Sequence, residues 1–138
     1  MFEKILVALD DSTPADAIVA VFQQIQLSAA HQVVLTHVIA PPPQDADATH
    51  SRSGMDIDSQ QAEERLQHYQ ALLPCPSQTE VVQGEPVTEI IRLAQIYQVD
   101  LIILGSRGLT GLKRILQGSV SSQVLEAAPC SVLVIKVP

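Results

Sequence analysis

The chain has no tryptophan, two phenylalanines and two tyrosines among its 138 residues. So few rings exclude an aromatic platform on which single-stranded nucleic-acid bases would stack. They also leave the core to Val, Ile, Leu and Ala, as in buried parallel sheets. Basic residues are scarce as well: eight Lys and Arg stand against fifteen Asp and Glu, for a net charge of −7. A duplex-binding protein draws most of its affinity from cations that neutralise phosphates, so general nucleic-acid binding is set aside, and the acidity serves solubility. The two cysteines, Cys75 and Cys130, form no CxxC pair. Cys75 sits between Pro74 and Pro76 and Cys130 directly precedes an apolar run, which reads as a loop thiol and a core thiol in a reducing cytoplasm rather than a disulfide or metal site. Long hydrophobic runs are missing too. The run from Ile5 to Asp10 after Lys4 is far too short for a signal h-region or a membrane span, so a cytoplasmic location without membrane contact is expected.

What is present is 46% hydrophobic residues in a chain long enough for one domain with one layered core. Strand-like apolar runs alternate with helix-like periodic segments, the signature of βαβ units and a parallel sheet. Ile5 to Leu9 is a continuous apolar run that ends at Asp10. Ser12 and Thr13 suit a helix N-cap, Pro14 the first helical position and Asp16 the first turn. Ile18, Val21, Phe22 and Ile25 then form one helical stripe. Val33 to Ile39 is a second run, closed by Pro41, Pro42 and Pro43. Residues 41–58 are polar, rich in Pro, Asp and Ser, without apolar periodicity, and read as a long mobile loop. Ala62, Leu66, Tyr69 and Leu73 mark a second helix, Thr79 to Val82 a short strand before Gly84, and Val87, Ile90, Leu93, Ala94 and Tyr97 a third helix. Leu101 to Leu104 predicts a strand buried on both faces. A fourth helix starts at Ser119 and ends before Pro129, and Ser131 to Val137 is a fifth strand. Right-handed crossovers make the expected fold α/β, a single-domain open doubly wound five-stranded parallel sheet, Rossmann-like, of order 3-2-1-4-5 with helices on both faces.

In such sheets ligands bind outside the carboxyl ends of the strands, where the strand order reverses. The first strand ends at Asp10 and the fourth at Gly105. Four of the chain's six glycines fall between Gly105 and Ser122, at 105, 108, 111 and 118. Glycines let backbone N–H groups approach an anion, and Gly118-Ser119 opens a helix whose first-turn amides are unpaired. That turn holds Ser119, Ser121 and Ser122 and no carboxylate, while Arg107, Lys113 and Arg114 give the segment a charge of +3. The segment is a candidate phosphate site; the competing reading is a βα loop that turns tightly for packing, its cations merely solvated. Neither GxxxxGK[ST] nor GxGxxG occurs, which disfavours a P-loop or a dinucleotide enzyme.

With these residues in view, the sequence resembles the universal stress protein family. Gly105, Gly108, Gly118 and Ser119 match the Gly-x2-Gly-x9-Gly-[Ser/Thr] pattern of its nucleotide-binding branch. Further similarity lies in Lys4 to Asp10, Thr36 to Val38, Gly84 to Pro86 and Ala128 to Ile135. The resemblance implies an adenine nucleotide, ATP or alternatively AMP, with Ala8, Leu9 and Val38 walling the adenine. Asp10 would lie near the ribose or an Mg²⁺-bridged phosphate. It implies that Gly105, Arg107 and Gly108 approach ribose and phosphate, and that Gly118, Ser119, Val120, Ser121 and Ser122 cradle the phosphate tail, with Gly84 also near the site. It further implies a homodimer paired through the last strand, 132–137, and a downstream protein that reads the bound state. An apolar edge left unpaired would be an aggregation hazard, which independently favours a partner there.

One residue departs from the family pattern. Asp11 stands where the family often has Gly. It adds negative charge beside the phosphates, which would weaken triphosphate binding, raise dependence on Mg²⁺ or favour AMP; alternatively it simply helps to cap the first helix. Three functions stay open: a stress-response regulatory module, a slow ATPase or phosphotransfer enzyme, and a structural dimer with an empty site. Phosphoryl transfer needs a positioned base, and none of the four histidines presents itself as one. His37 comes nearest, although a strand-end histidine is the plainer reading, and no catalytic residue is assigned.

Overall fold

In the computed structural model, residues 2–9, 15–39, 48–105 and 120–135 are described. Five strands, β1 (Lys4–Ala8), β2 (Gln32–Ile39), β3 (Ser77–Gln83), β4 (Leu101–Gly105) and β5 (Ser131–Ile135), form one sheet of order β3-β2-β1-β4-β5. Every pairing in it is parallel. Among the described residues four helices accompany them: α1 (Ala15–Gln24), α2 (Ala48–Gln70), α3 (Pro86–Tyr97) and α4 (Val120–Ala127).

Alternation along the strands divides the core into two. Ile5, Val7, Val33, Leu35, Leu101 and Ile103 point to one face, where Ile18 and Phe22 of α1 and Leu66 and Tyr69 of α2 cover them. Leu6, Val34, Ile102 and Leu104 point to the other, beneath Ile90, Leu93 and Ala94 of α3 and Val124 of α4. This is why β1 and β4 read as unbroken apolar runs: both faces are buried. The chain winds outward from β1 through α1 and α2, then returns to β4 and reverses direction through α4. A crossover of fixed hand puts helices on opposite faces when its direction of travel reverses.

Local chemistry sets the element ends. Pro86 occupies the first turn of α3, and the Glu85 side chain caps it by accepting from Thr88 N at 2.7 Å. At its other end Gln98 takes the left-handed conformation, φ 53° and ψ 51°, a position where glycine is commoner. Asp100 joins the starts of β1 and β4, its carboxylate accepting from the amides of Glu3 (2.9 Å) and Lys4 (3.0 Å).

The sequence pattern misplaces one segment. Residues 48–58, expected in a mobile loop, lie in α2, while 41–47 are outside the described residues. Beyond Pro43 this stretch contains no further proline and a single glycine, Gly54. With no proline among them, no residue of 48–58 sterically bars a helix, although the stretch has no apolar stripe to announce one. The strand read at Thr79–Val82 extends to Ser77–Gln83. The fifth strand is described from Ser131 to Ile135, with 136–138 outside the described residues. Cys75 and Cys130 are half-buried free thiols. Among the described residues no helix is long and apolar enough to cross a membrane.

Candidate functional site

The strand order reverses between β1 and its two neighbours, β2 and β4, so the carboxyl ends of these strands frame the crevice expected of an open α/β sheet. Ala8 pairs with Thr36 on one side and with Leu104 on the other. Leu9 extends the chain one residue beyond β1, its N–H donating to Thr36 O at 2.9 Å. Its carbonyl accepts from the imidazole of His37 at 2.8 Å. A carbonyl can only accept, so the Nδ1 of His37 carries the proton. The ring read as the nearest candidate base is thus tied to the end of β1.

On the face covered by α3 and α4, Ala8, Val38, Val82, Val87 and Val120 are half-buried against the core and come from three strands and two helices. Val38 and Val82 are neighbours in the β2–β3 register. Together they form an apolar shelf at the carboxyl end of the sheet. Of the expected adenine wall, Ala8 and Val38 lie on this shelf. Leu9 does not: its side chain is 5% exposed and packs with Ile18 and Phe22 on the opposite face. Successive strand residues point to opposite faces, so Ala8 and Leu9 cannot share one wall. Val82 and Val87 were missed in the sequence. The signal available was parity, usable only once the face of each strand is known.

Two helix starts, those of α3 and α4, bear on the same face of the sheet, and they differ in charge. The first turn of α3 contains Glu89 and is capped by Glu85, whose carboxylate also accepts from the Thr88 hydroxyl at 2.7 Å. That hydroxyl, followed by the Thr88 amide, holds the Glu85 carboxyl below its ordinary range. The first turn of α4 has no acidic residue, and a helix start without a carboxylate favours an incoming anion. Ser121 is buried there and Ser122 exposed. Gly105 ends β4 opposite Ile135. Gly84 has φ +155°, and its N–H donates to Ile39 O at 3.0 Å. That amide is therefore committed to the end of β2. Asp10, Arg107, Gly108, Gly118 and Ser119 lie outside the described residues. A half-open cavity of about 250 Å³ opens at the other end of the sheet, among Lys4, Gln32, Ser77 and Tyr97, away from the carboxyl end of β4.

The universal stress protein family model matches residues 1–136. The chain belongs to the universal stress protein family. Universal stress protein YxiE of Bacillus subtilis is 34% identical, with 99% of this chain and all of that protein covered. Universal stress protein MJ0531 of Methanocaldococcus jannaschii is 48% identical over 60 residues, 44% of this chain and 35% of that one. Among solved structures, that of MJ0577 from the same archaeon superposes with a TM-score of 0.82 at 31% identity, covering 100% of this chain and 98% of the other. Two more distant members of the family share the fold. One is an Arabidopsis thaliana protein with AMP bound, with a TM-score of 0.69 and 18% identity, covering 99% of this chain and 92% of that one. The other is in complex with cAMP, with a TM-score of 0.66 and 21% identity, covering 97% of each.

Proposed function

We propose that this chain is an adenine-nucleotide-binding regulatory module of the stress response, taking ATP or AMP at the carboxyl ends of β1 and β4 and acting as a homodimer read by a downstream protein. The observation that carries the reading is the shelf of Ala8, Val38, Val82, Val87 and Val120 on the face where α4 begins without a carboxylate. An apolar surface for a base and a helix start without a carboxylate for phosphate are what a nucleotide requires of a site. The glycine pattern from Gly105 through Gly108 to Gly118-Ser119 supports the same end of the sheet. That relatives of the same fold carry AMP or cAMP supports an adenine nucleotide as the ligand class. In this reading Asp10, Arg107, Gly108, Gly118 and Ser119 complete the site around ribose and phosphates, and Ser121 and Ser122 line the helix start.

Mg²⁺ is bound by oxygen ligands and takes one or two carboxylates together with nucleotide phosphates. Asp10, with Asp11 next to it, is the donor of that chemistry in this segment. Among the described residues no group of three or more His, Cys, Asp or Glu gathers to hold a metal. The homodimer would pair the outer edge of β5, where Leu133 is 37% exposed and where an unpaired apolar edge is a liability.

The test is isothermal titration with ATP, ADP, AMP and cAMP, together with identification of any nucleotide released from the purified protein on denaturation. Binding of ATP or AMP is expected, and Gly118→Val is expected to abolish it with the fold intact, because a branched side chain blocks backbone approach to phosphate. No heat and no recovered nucleotide would sink the proposal. Turnover well above background, lost in Asp10→Ala, would replace it with the enzymatic reading.

A further inference from the structure

The Leu9 carbonyl lies one residue beyond β1, and it accepts from a side chain. His37 reaches it across 28 positions of sequence with Nδ1 at 2.8 Å. That carbonyl belongs to the peptide group whose nitrogen is Asp10's. A peptide group is planar, so whatever fixes the carbonyl fixes the plane and the direction of its N–H. Leu9 N is fixed as well, by Thr36 O at 2.9 Å. Both peptide groups flanking the Leu9 Cα are therefore anchored to β2, one by backbone and one by the imidazole.

We infer that His37 is a positioning residue for the nucleotide site, setting the direction in which the chain leaves β1 toward Asp10; the inference rests on the nucleotide reading above. The imidazole lies on the α1/α2 side of β2, in register with Val81 of β3, whereas the apolar shelf lies on the other side. His37 acts from behind the site, through the backbone, without touching the ligand. The next residue on β2, Val38, points to the shelf. One dipeptide of β2 thus supplies a wall on one face and a tether on the other. Thr36, just before it, makes a comparable bond of a different purpose: its buried hydroxyl donates to Glu80 O at 2.7 Å and ties β2 to β3.

The pair of bonds gives the experiment its control. Asn places an amide N–H near the position of imidazole Nδ1, so His37→Asn keeps the donor and His37→Leu removes it. His37→Leu is expected to weaken ATP binding about tenfold, the loss of roughly one well-placed hydrogen bond. His37→Asn is expected to restore most of that affinity. Thr36→Val should lower the urea midpoint by a comparable amount and leave the dissociation constant within about twofold of the parent. In amide NMR spectra of the ligand-free protein, the Asp10 resonance should shift in His37→Leu, return in His37→Asn and stay in place in Thr36→Val. A parent that binds ATP while His37→Leu binds it equally well, or while Thr36→Val loses as much affinity as His37→Leu, overturns the positioning role and leaves the nucleotide reading standing. An Asp10 resonance that ignores the loss of the imidazole overturns it too. A parent that binds no nucleotide, with Asp10 still responding to His37→Leu and His37→Asn as described, keeps the tether and refutes the nucleotide reading instead.

Discussion

Gly84 offers a prediction whose size can be worked from the coordinates. It joins β3 to α3 at φ +155°, a region that side-chain-bearing residues rarely occupy. A Cβ added there would stand 2.9 Å from Glu89 Cγ and 3.2 Å from its Cδ. Glu89 cannot move freely, because its carboxylate accepts from Arg92 at 2.7 and 3.0 Å. Gly84→Ala therefore carries about 1–3 kcal/mol of backbone strain, plus roughly 0.3 kcal/mol if the Glu89–Arg92 pair is displaced. The stiffer unfolded chain returns about 0.4–1 kcal/mol. The net expectation is a destabilisation of about 1–2 kcal/mol, seen as a urea midpoint lowered by roughly 0.5–1 M. Glu89→Ala in the same background separates the two contributions. Gly84→Ala should cost less beside Glu89→Ala than alone, by about 0.3 kcal/mol, since the clash is gone and only strain remains. A neutral or stabilising Gly84→Ala would refute the claim that this turn requires glycine. Equal costs in both backgrounds would show that the contact with Glu89 contributes nothing.

Gln98 caps α3 in the left-handed conformation, so Gln98→Gly is expected to raise stability by up to about 1 kcal/mol, measured by urea unfolding. Acid should weaken the fold through two depressed carboxyls. Thr88 lowers Glu85 from its ordinary 4.5, and the backbone amides of Lys4 and Glu3 lower Asp100 from 3.8. A depressed folded value means stability that is fully present above those ordinary values and is lost as the pH falls through the folded ones. Urea midpoints followed from pH 6 to pH 2 should accordingly fall below about pH 4.5, and Glu85→Gln with Asp100→Asn should flatten that limb.

Much of this molecule was legible in the sequence. The unbroken apolar runs Ile5 to Leu9 and Leu101 to Leu104, set between amphipathic segments, required a sheet buried on both faces, hence parallel strands with helices on each side. Ordering by right-handed crossovers then gave β3-β2-β1-β4-β5. These features are local or follow from chirality, so periodicity sufficed. The start of α2 escaped because a helix whose sequence has no apolar stripe leaves no periodic mark. Only the tertiary structure decided which side of the sheet each site residue faces, turning Leu9 away from Ala8 and bringing Val82 and Val87 to the shelf. It alone brought His37 to the Leu9 carbonyl and the Asp100 carboxylate to the amides of Glu3 and Lys4. Those pairs are joined by strand register across 28 to 97 positions, and register is a property of strands already assembled, which no local pattern in the chain encodes.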